Sequence, residues 1–175
     1  METFWTNGYA GTTPAQLAEA AGIGKGSLYN AFVSKRHLFE QCLDLYHKQT
    51  AELAKELLTH PGTTRECIKA ALRFIVDHDL AQPHRRGCLV GNTAVELAGH
   101  DAYLALKLRR MQSESTGWFA SRIEQGQRSG DVAQDLDSWA YAEYLANTLA
   151  GLRVMAMTHE APTLYRIIET ALSML

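Results

Sequence analysis

The sequence predicts an all-α protein, a short three-helix N-terminal unit followed by a larger helical domain. Three observations carry this. Strand-like alternation of β-branched residues is nearly absent. Ala and Leu are abundant in a chain of 175 residues that is 46% hydrophobic. Its four prolines, Pro14, Pro61, Pro83 and Pro162, each fall at a helix start or in a gap between helices.

Apolar periodicity then sets the elements in order. A stub precedes Gly8. Helices follow over Pro14–Ala21, Lys25–Phe32, Lys35 to about Leu58, about Thr64–Ala81, Cys88–Ala98, Ala102–Arg128, Ser138–Met157 and Thr163–Met174. Near residue 50 short helices with Gly-rich junctions give way to long amphipathic ones. This puts a domain boundary there, with 1–48 and 49–175 as the two units and the fourth helix running through it.

Composition bounds the function. A net charge of −2 excludes a protein that coats nucleic acid by bulk charge, so any DNA contact must come from a local patch. Three widely spaced cysteines, Cys42, Cys67 and Cys88, are not a disulfide framework and suit a reducing compartment. No apolar run spans a bilayer and no signal peptide is visible. The expectation is a soluble cytoplasmic protein without a membrane partner. A phosphate loop, a nucleophile elbow and a zinc-binding helix motif are all missing, which argues against an enzyme and against a cofactor. His78, Asp79, His84, Cys88 and His100 do not match a closed zinc pattern, so no metal is expected.

Residues 7–39 carry the function. Thr13-Pro14-Ala15-Gln16 is a capping box with proline at the first helical position. Leu17, Ala18 and Ala21 form one apolar stripe, Gly22 can end the helix in the left-handed conformation, and Ile23 would plug the space to the next helix. In that helix Leu28 and Phe32 face inward, which turns Lys25, Ser27, Tyr29 and Asn30 outward. Ser34 caps the following helix, with Val33 and Leu38 as a hydrophobic staple. Two short helices joined by a Gly-containing turn form a helix-turn-helix, which lays the start of its second helix in the major groove. Lys25, Tyr29 and Lys35 can reach phosphates; Ser27 and Asn30 can reach base edges. Between Ala20 and His37 lie three cations (Lys25, Lys35, Arg36) and no acid, although residues 1–48 as a whole are neutral. On the residues alone, an ordinary helical hairpin with a solvated basic face remains open.

The stretch Gly8-Tyr9, Thr12-Thr13, Leu17 to Ile23, Lys25-Gly26-Ser27-Leu28-Tyr29, Phe32, Ser34-Lys35 and Leu38-Phe39 resembles the DNA-binding domain of the TetR family of repressors. The resemblance implies phosphate contacts from Thr13, Lys25, Tyr29 and Lys35, and base or backbone contacts near Gly26, Ser27 and Asn30. It also implies a homodimer on palindromic operator DNA, released by a small-molecule effector. Two features depart from the family. Gly24 stands where a serine cap is common. The first helix reads as mostly missing, with Phe4 and Trp5 its last apolar turn, so that Met1 would not be the biological start.

In the larger half, Gly87-Cys88-Leu89 resembles a branch of the family with a Gly-Cys-Leu motif, which includes thiol-based sensors of electrophiles. Reaction there would need Arg85, Arg86 or a helix N-terminus to favour the thiolate. The preferred reading of Cys88 is a small buried hydrophobe at a helix start. Leu104, Leu108, Met111 and Ser115 share a helix face, with Trp118, Phe119 and Arg122 beyond. Together with Phe74, His78, Cys88, Asn92 and Val95 they are candidates to line a ligand cavity, and core packing is the alternative for each. In the last two helices Leu145, Leu149 and Leu152, then Leu164, Ile167, Ile168, Ala171 and Leu172, suggest a four-helix dimer seam; the alternative is that they finish the monomer core. The fourth helix is the expected lever between effector and DNA. A helical enzyme or carrier using the cavity without DNA is the competing reading.

Overall fold

The computed structural model describes residues 1–175 and consists of nine helices with no strand. They are α1 (Glu2–Gly11), α2 (Pro14–Ala20), α3 (Lys25–Ala31), α4 (Lys35–Leu58), α5 (Thr64–Ala81), α6 (Leu89–Leu97), α7 (Ala102–Ser129), α8 (Ser138–Met155) and α9 (Ala161–Ala171). The sequence-predicted ends fall within a turn of these.

Local chemistry accounts for the boundaries. Thr13 accepts a hydrogen bond from the Gln16 amide while the Gln16 side chain accepts from the Thr13 amide at 2.7 Å. Thr63 and Glu66 repeat the same box at the start of α5. Ser34 accepts from the His37 amide at 3.1 Å. Gly22, at φ 65°, and Gly130, at φ 78°, take the left-handed conformation where α2 and α7 end.

Two hydrophobic clusters form. One gathers Phe4, Leu17, Leu28, Phe39, Leu43 and Tyr46 with Leu89 and Val90 of α6 and Leu104, Leu108 and Met111 of α7. The other joins α5 and the second half of α7 to α8 and α9, through Ile68, Leu72, Ile123, Leu145, Leu152, Leu164 and Ile168. The N-terminal unit meets the larger half through α1 on α6 and through α4, which packs on α6 and α7 and crosses residue 48 without a break.

Several expectations are corrected. The stub before Gly8 is α1, which runs from Glu2 to a kink at Gly8 and buries Phe4 against Phe39, whereas other positions depart from the reading. Val33 is 83% exposed and makes no staple with Leu38, because the chain turns it outward before α4. Ala21 and Ile23 are also exposed, so Leu17 and Ala18 alone form the buried stripe of α2. The apolar stripes of α8 and α9 turn inward. Leu145, Leu152, Leu164, Ile168, Ala171 and Leu172 are buried in the single chain, and only Leu149 and Ile167 are half-buried.

Close packing of α7 on α5 is visible at Gly126, where a Cβ would overlap Thr64 Oγ1 and Val132 Cγ2. Thr64 is itself fully buried and cannot yield. Gly126→Ala should therefore cost about 1–3 kcal/mol, the usual range for overpacking, read as a lower urea midpoint at unchanged slope.

Candidate DNA-contacting face and ligand cavity

The first half of α3 stands free of the core. Leu28 is 4% exposed and anchors the helix, while Lys25, Gly26, Ser27, Tyr29 and Asn30 all face solvent. Gly24 caps α3 with no side-chain hydrogen bond, as a glycine must. Thr13 is exposed at the start of α2. Lys35 is half-buried, its Nζ 4.4 Å from the centre of the Tyr9 ring. Arg36, the third cation of the local patch, is committed elsewhere. Its guanidinium bridges Glu40 and Asp101, the residue that caps α7. Bonded to it, the Asp101 carboxyl is held down at about 2. Lys25 and Lys35 remain as the cations facing outward.

A cavity of about 790 Å3 opens between the two hydrophobic clusters. Phe74, His78, Cys88, Asn92, Val95, Met111, Ser115, Trp118 and Phe119 lie along it. Leu108 does not. It is 1% exposed within the N-terminal cluster, as is Leu104 at 0%, because the first turns of α7 pack on α4 and α6. Arg122 is also absent from the wall; it is buried and donates to the Gly62 carbonyl at 2.6 Å.

Three cavity residues outside the predicted lining, Tyr46, Asp79 and Arg153, form its polar end. Arg153 of α8 donates from Nε to Asp79 at 2.7 Å and from Nη2 to the other Asp79 oxygen at 2.8 Å. Nη2 also donates to the Gly87 carbonyl at 3.0 Å, and Nη1 to the Tyr46 hydroxyl at 2.7 Å. Tyr46 in turn donates to Cys88 Sγ at 3.7 Å. The Gly87 carbonyl also accepts from Trp5 Nε1 at 3.1 Å, which ties α1 to the same point. Burial opposes the Arg153 charge, but the Asp79 carboxylate outweighs it and keeps the guanidinium protonated. Burial pushes the Tyr46 hydroxyl well above its usual range, so it stays a neutral donor.

Cys88 caps α6, its Sγ accepting from the Gly91 amide at 3.4 Å. The cations expected to activate it are engaged elsewhere. Arg85 pairs with Glu160, and Arg86 pairs with Glu2 and lies over the Trp5 ring. The cation that reaches Cys88 is Arg153, through Tyr46. The sequence signal for this group was a lone Asp and a lone Arg inside otherwise apolar helix faces.

Comparison with known proteins gives the family. A model of bacterial regulatory proteins of the tetR family matches residues 1–42, and a model of the tetracyclin repressor-like C-terminal domain matches residues 65–172, more than half of the chain. The chain belongs to the TetR family of transcriptional regulators. It is 29% identical to the uncharacterized HTH-type transcriptional regulator YezE of Bacillus subtilis (strain 168), across all of this chain and 91% of that protein. It is 26% identical to the HTH-type transcriptional repressor ComR of Escherichia coli (strain K12), over 98% of this chain and 81% of that one. Among solved structures, a cysteine variant of the TetR family regulator CifR complexed with a 26-bp double-strand operator DNA superposes with a TM-score of 0.87. It shares 32% identity and covers 97% of this chain and 89% of that chain. No helix is long and apolar enough to cross a membrane.

Proposed function

We propose that this TetR-family protein is a repressor that binds a palindromic operator as a homodimer and is released by a small molecule in the cavity. Residues 1–48 are the DNA-binding unit and 49–175 hold the ligand and the dimer seam. Thr13, Lys25, Tyr29 and Lys35 contact phosphates, and Gly26, Ser27 and Asn30 approach the bases. The observation that carries this reading is the reach of the cavity. Its wall includes Trp5 of α1 and Tyr46 of α4, so a ligand touches the DNA-binding half directly. Such a ligand acts through its differential affinity for the bound and released states, typically ~1–3 kcal/mol of coupling. The dimer forms through α8 and α9. With the predicted stripes spent on the core, the exposed residues Ala140, Tyr144, Val154 and Met157 of the α8 region supply its contacts.

The test is fluorescence anisotropy of the full chain on its own upstream intergenic DNA, over a salt series. Binding that is tight, salt-sensitive, of two chains per duplex and absent on scrambled DNA supports the reading. Equal weak binding to both DNAs overturns it and favours a helical carrier or enzyme, which ligand turnover would establish. Tyr29→Ala should weaken operator binding roughly tenfold, about the worth of one lost contact, at unchanged thermal stability. Unchanged affinity would refute the assigned orientation of α3.

The finer reading places the protein in the branch with the Gly-Cys-Leu motif. The position of Cys88 supports it: the thiol lines the cavity and is met by the Tyr46 hydroxyl. Cys88→Ser should leave operator affinity within about twofold, since serine preserves the α6 cap. It should abolish release by N-ethylmaleimide. Release that survives the substitution assigns Cys88 to packing alone.

A further inference from the structure

The cavity is large and mostly apolar, yet it contains a full ion pair. Arg153 is the only Lys or Arg in its wall, and Asp79 the only carboxylate. The two neutralise each other in bidentate geometry, at 2.7 and 2.8 Å, with Arg153 8% and Asp79 4% exposed. The remaining Arg153 contacts go to a backbone carbonyl and a phenol, which are neutral acceptors. The two histidines of the wall also have partners: His47 bonds the Glu114 carboxylate at 2.7 Å, and His78 lies 3.3 Å from Gln82 Nε2. His78 stacks on Phe74.

A charged ligand entering this space loses its hydration and finds no unpaired Lys, Arg, Asp or Glu side chain to replace it. An uncharged ligand loses little and can still use Thr50, Gln112, Ser115 or Asn147 for a hydrogen bond. We infer that the cavity selects an uncharged, largely apolar molecule, and that Asp79 sets this preference by masking Arg153. The inference rests on the reading of the cavity as the effector site. It predicts that unmasking Arg153 converts the same cavity to one that takes anions.

The probes are N-phenyl-1-naphthylamine and its sulfonate, 8-anilinonaphthalene-1-sulfonate, which share one skeleton and differ by a charge. Fluorescence titrations of the full chain are run at pH 8, above the ordinary histidine range. The wild type should bind the neutral probe, one per chain, at least tenfold tighter than the sulfonate. Asp79→Asn keeps the shape and removes the charge, and should shrink that ratio at least tenfold. Should Asp79→Asn fail to fold, Val95→Arg adds a cation at the rim, where Val95 is 92% exposed. It should shift the ratio at least threefold towards the sulfonate. Equal or tighter binding of the sulfonate by the wild type overturns the inference, as does a ratio that neither variant moves, or binding of neither probe. Operator anisotropy on the same samples separates the two readings. Loss of the charge preference with operator binding intact refutes this inference alone. Failure of operator binding with the preference intact refutes the regulator reading alone.

Discussion

Asp79→Ala should destabilise the protein by about 3–5 kcal/mol, the usual loss when one partner of a buried ion pair is removed. In a chain of this size that lowers the melting temperature by roughly 10 °C. The cause is less the lost attraction than the charge left behind. Arg153 is 8% exposed and keeps only the Gly87 carbonyl and the Tyr46 hydroxyl as partners. Neither can balance a guanidinium out of water. Deprotonation offers no escape, because arginine remains charged at any ordinary pH. The loss should therefore be relieved by removing the second charge. In Asp79→Ala with Arg153→Met the stranded cation is gone, and the thioether fills much of the space. The double variant should recover more than half of the lost stability, measured by urea unfolding of the four proteins in one cycle. Recovery of less than a quarter would show that shape, not charge, dominates this site. The double variant also severs the links from α8 to α4 and to the Gly87 turn, so it separates stability from response to ligand.

How much of this was legible in the sequence depended on the range of the interaction. Thr13 with Gln16, and Ser34 before α4, are contacts between residues three apart, and local chemistry alone specifies them. Leu28 inward with Tyr29 and Asn30 outward follows from helical period, and so does the side of α7 that carries Met111, Ser115 and Trp118. Periodicity says which face is buried but not against what. Leu145 and Leu152 were therefore equally compatible with a partner chain and with the core they join, and Leu108 with a cavity wall and with the cluster it occupies. The sequence groups Arg36 with the basic patch, since Asp101 lies 65 positions away and no local pattern foretells the bridge. The same holds for Asp79 and Arg153, 74 positions apart. A charged residue inside an apolar helix face was the one available sign that each had a distant partner, and it named neither partner nor purpose. Val33 has the spacing to Leu38 that suits a staple, yet it is 83% exposed: spacing permits that contact without enforcing it.

Gly8→Ala should cost about 2–5 kcal/mol, and part of that cost should vanish when Glu96 is also replaced. Gly8 stands at φ 72°, ψ 175°, a region that is essentially glycine's alone and costs other residues about 1–3 kcal/mol. A second term comes from across the fold. Glu96 of α6 accepts from the Tyr9 amide at 2.9 Å and the Ala10 amide at 2.7 Å, which holds the kinked end of α1 against the larger half. To do so its carboxylate lies where an alanine methyl at position 8 would be 2.9 Å from Oε2. The bulk of Gly8→Ala and the reach of Glu96 thus compete for one space. Glu96→Ala should itself cost about 1–2 kcal/mol, for two amides left without their acceptor. In its background Gly8→Ala should retain only the backbone strain, so the pair should be less than additive by about 1 kcal/mol or more. Strict additivity would mean that the methyl is accommodated by rotation of Glu96 with no loss. The same cycle, read by operator anisotropy with and without N-ethylmaleimide, reports on coupling. α6 lines the cavity through Val90, Asn92 and Val95 and grips α1 one residue further on. A ligand that shifts α6 therefore pulls on the recognition unit by a route separate from α4. Glu96→Ala should keep operator binding while narrowing the difference between the treated and untreated protein. An undiminished difference would return the whole of the coupling to α4.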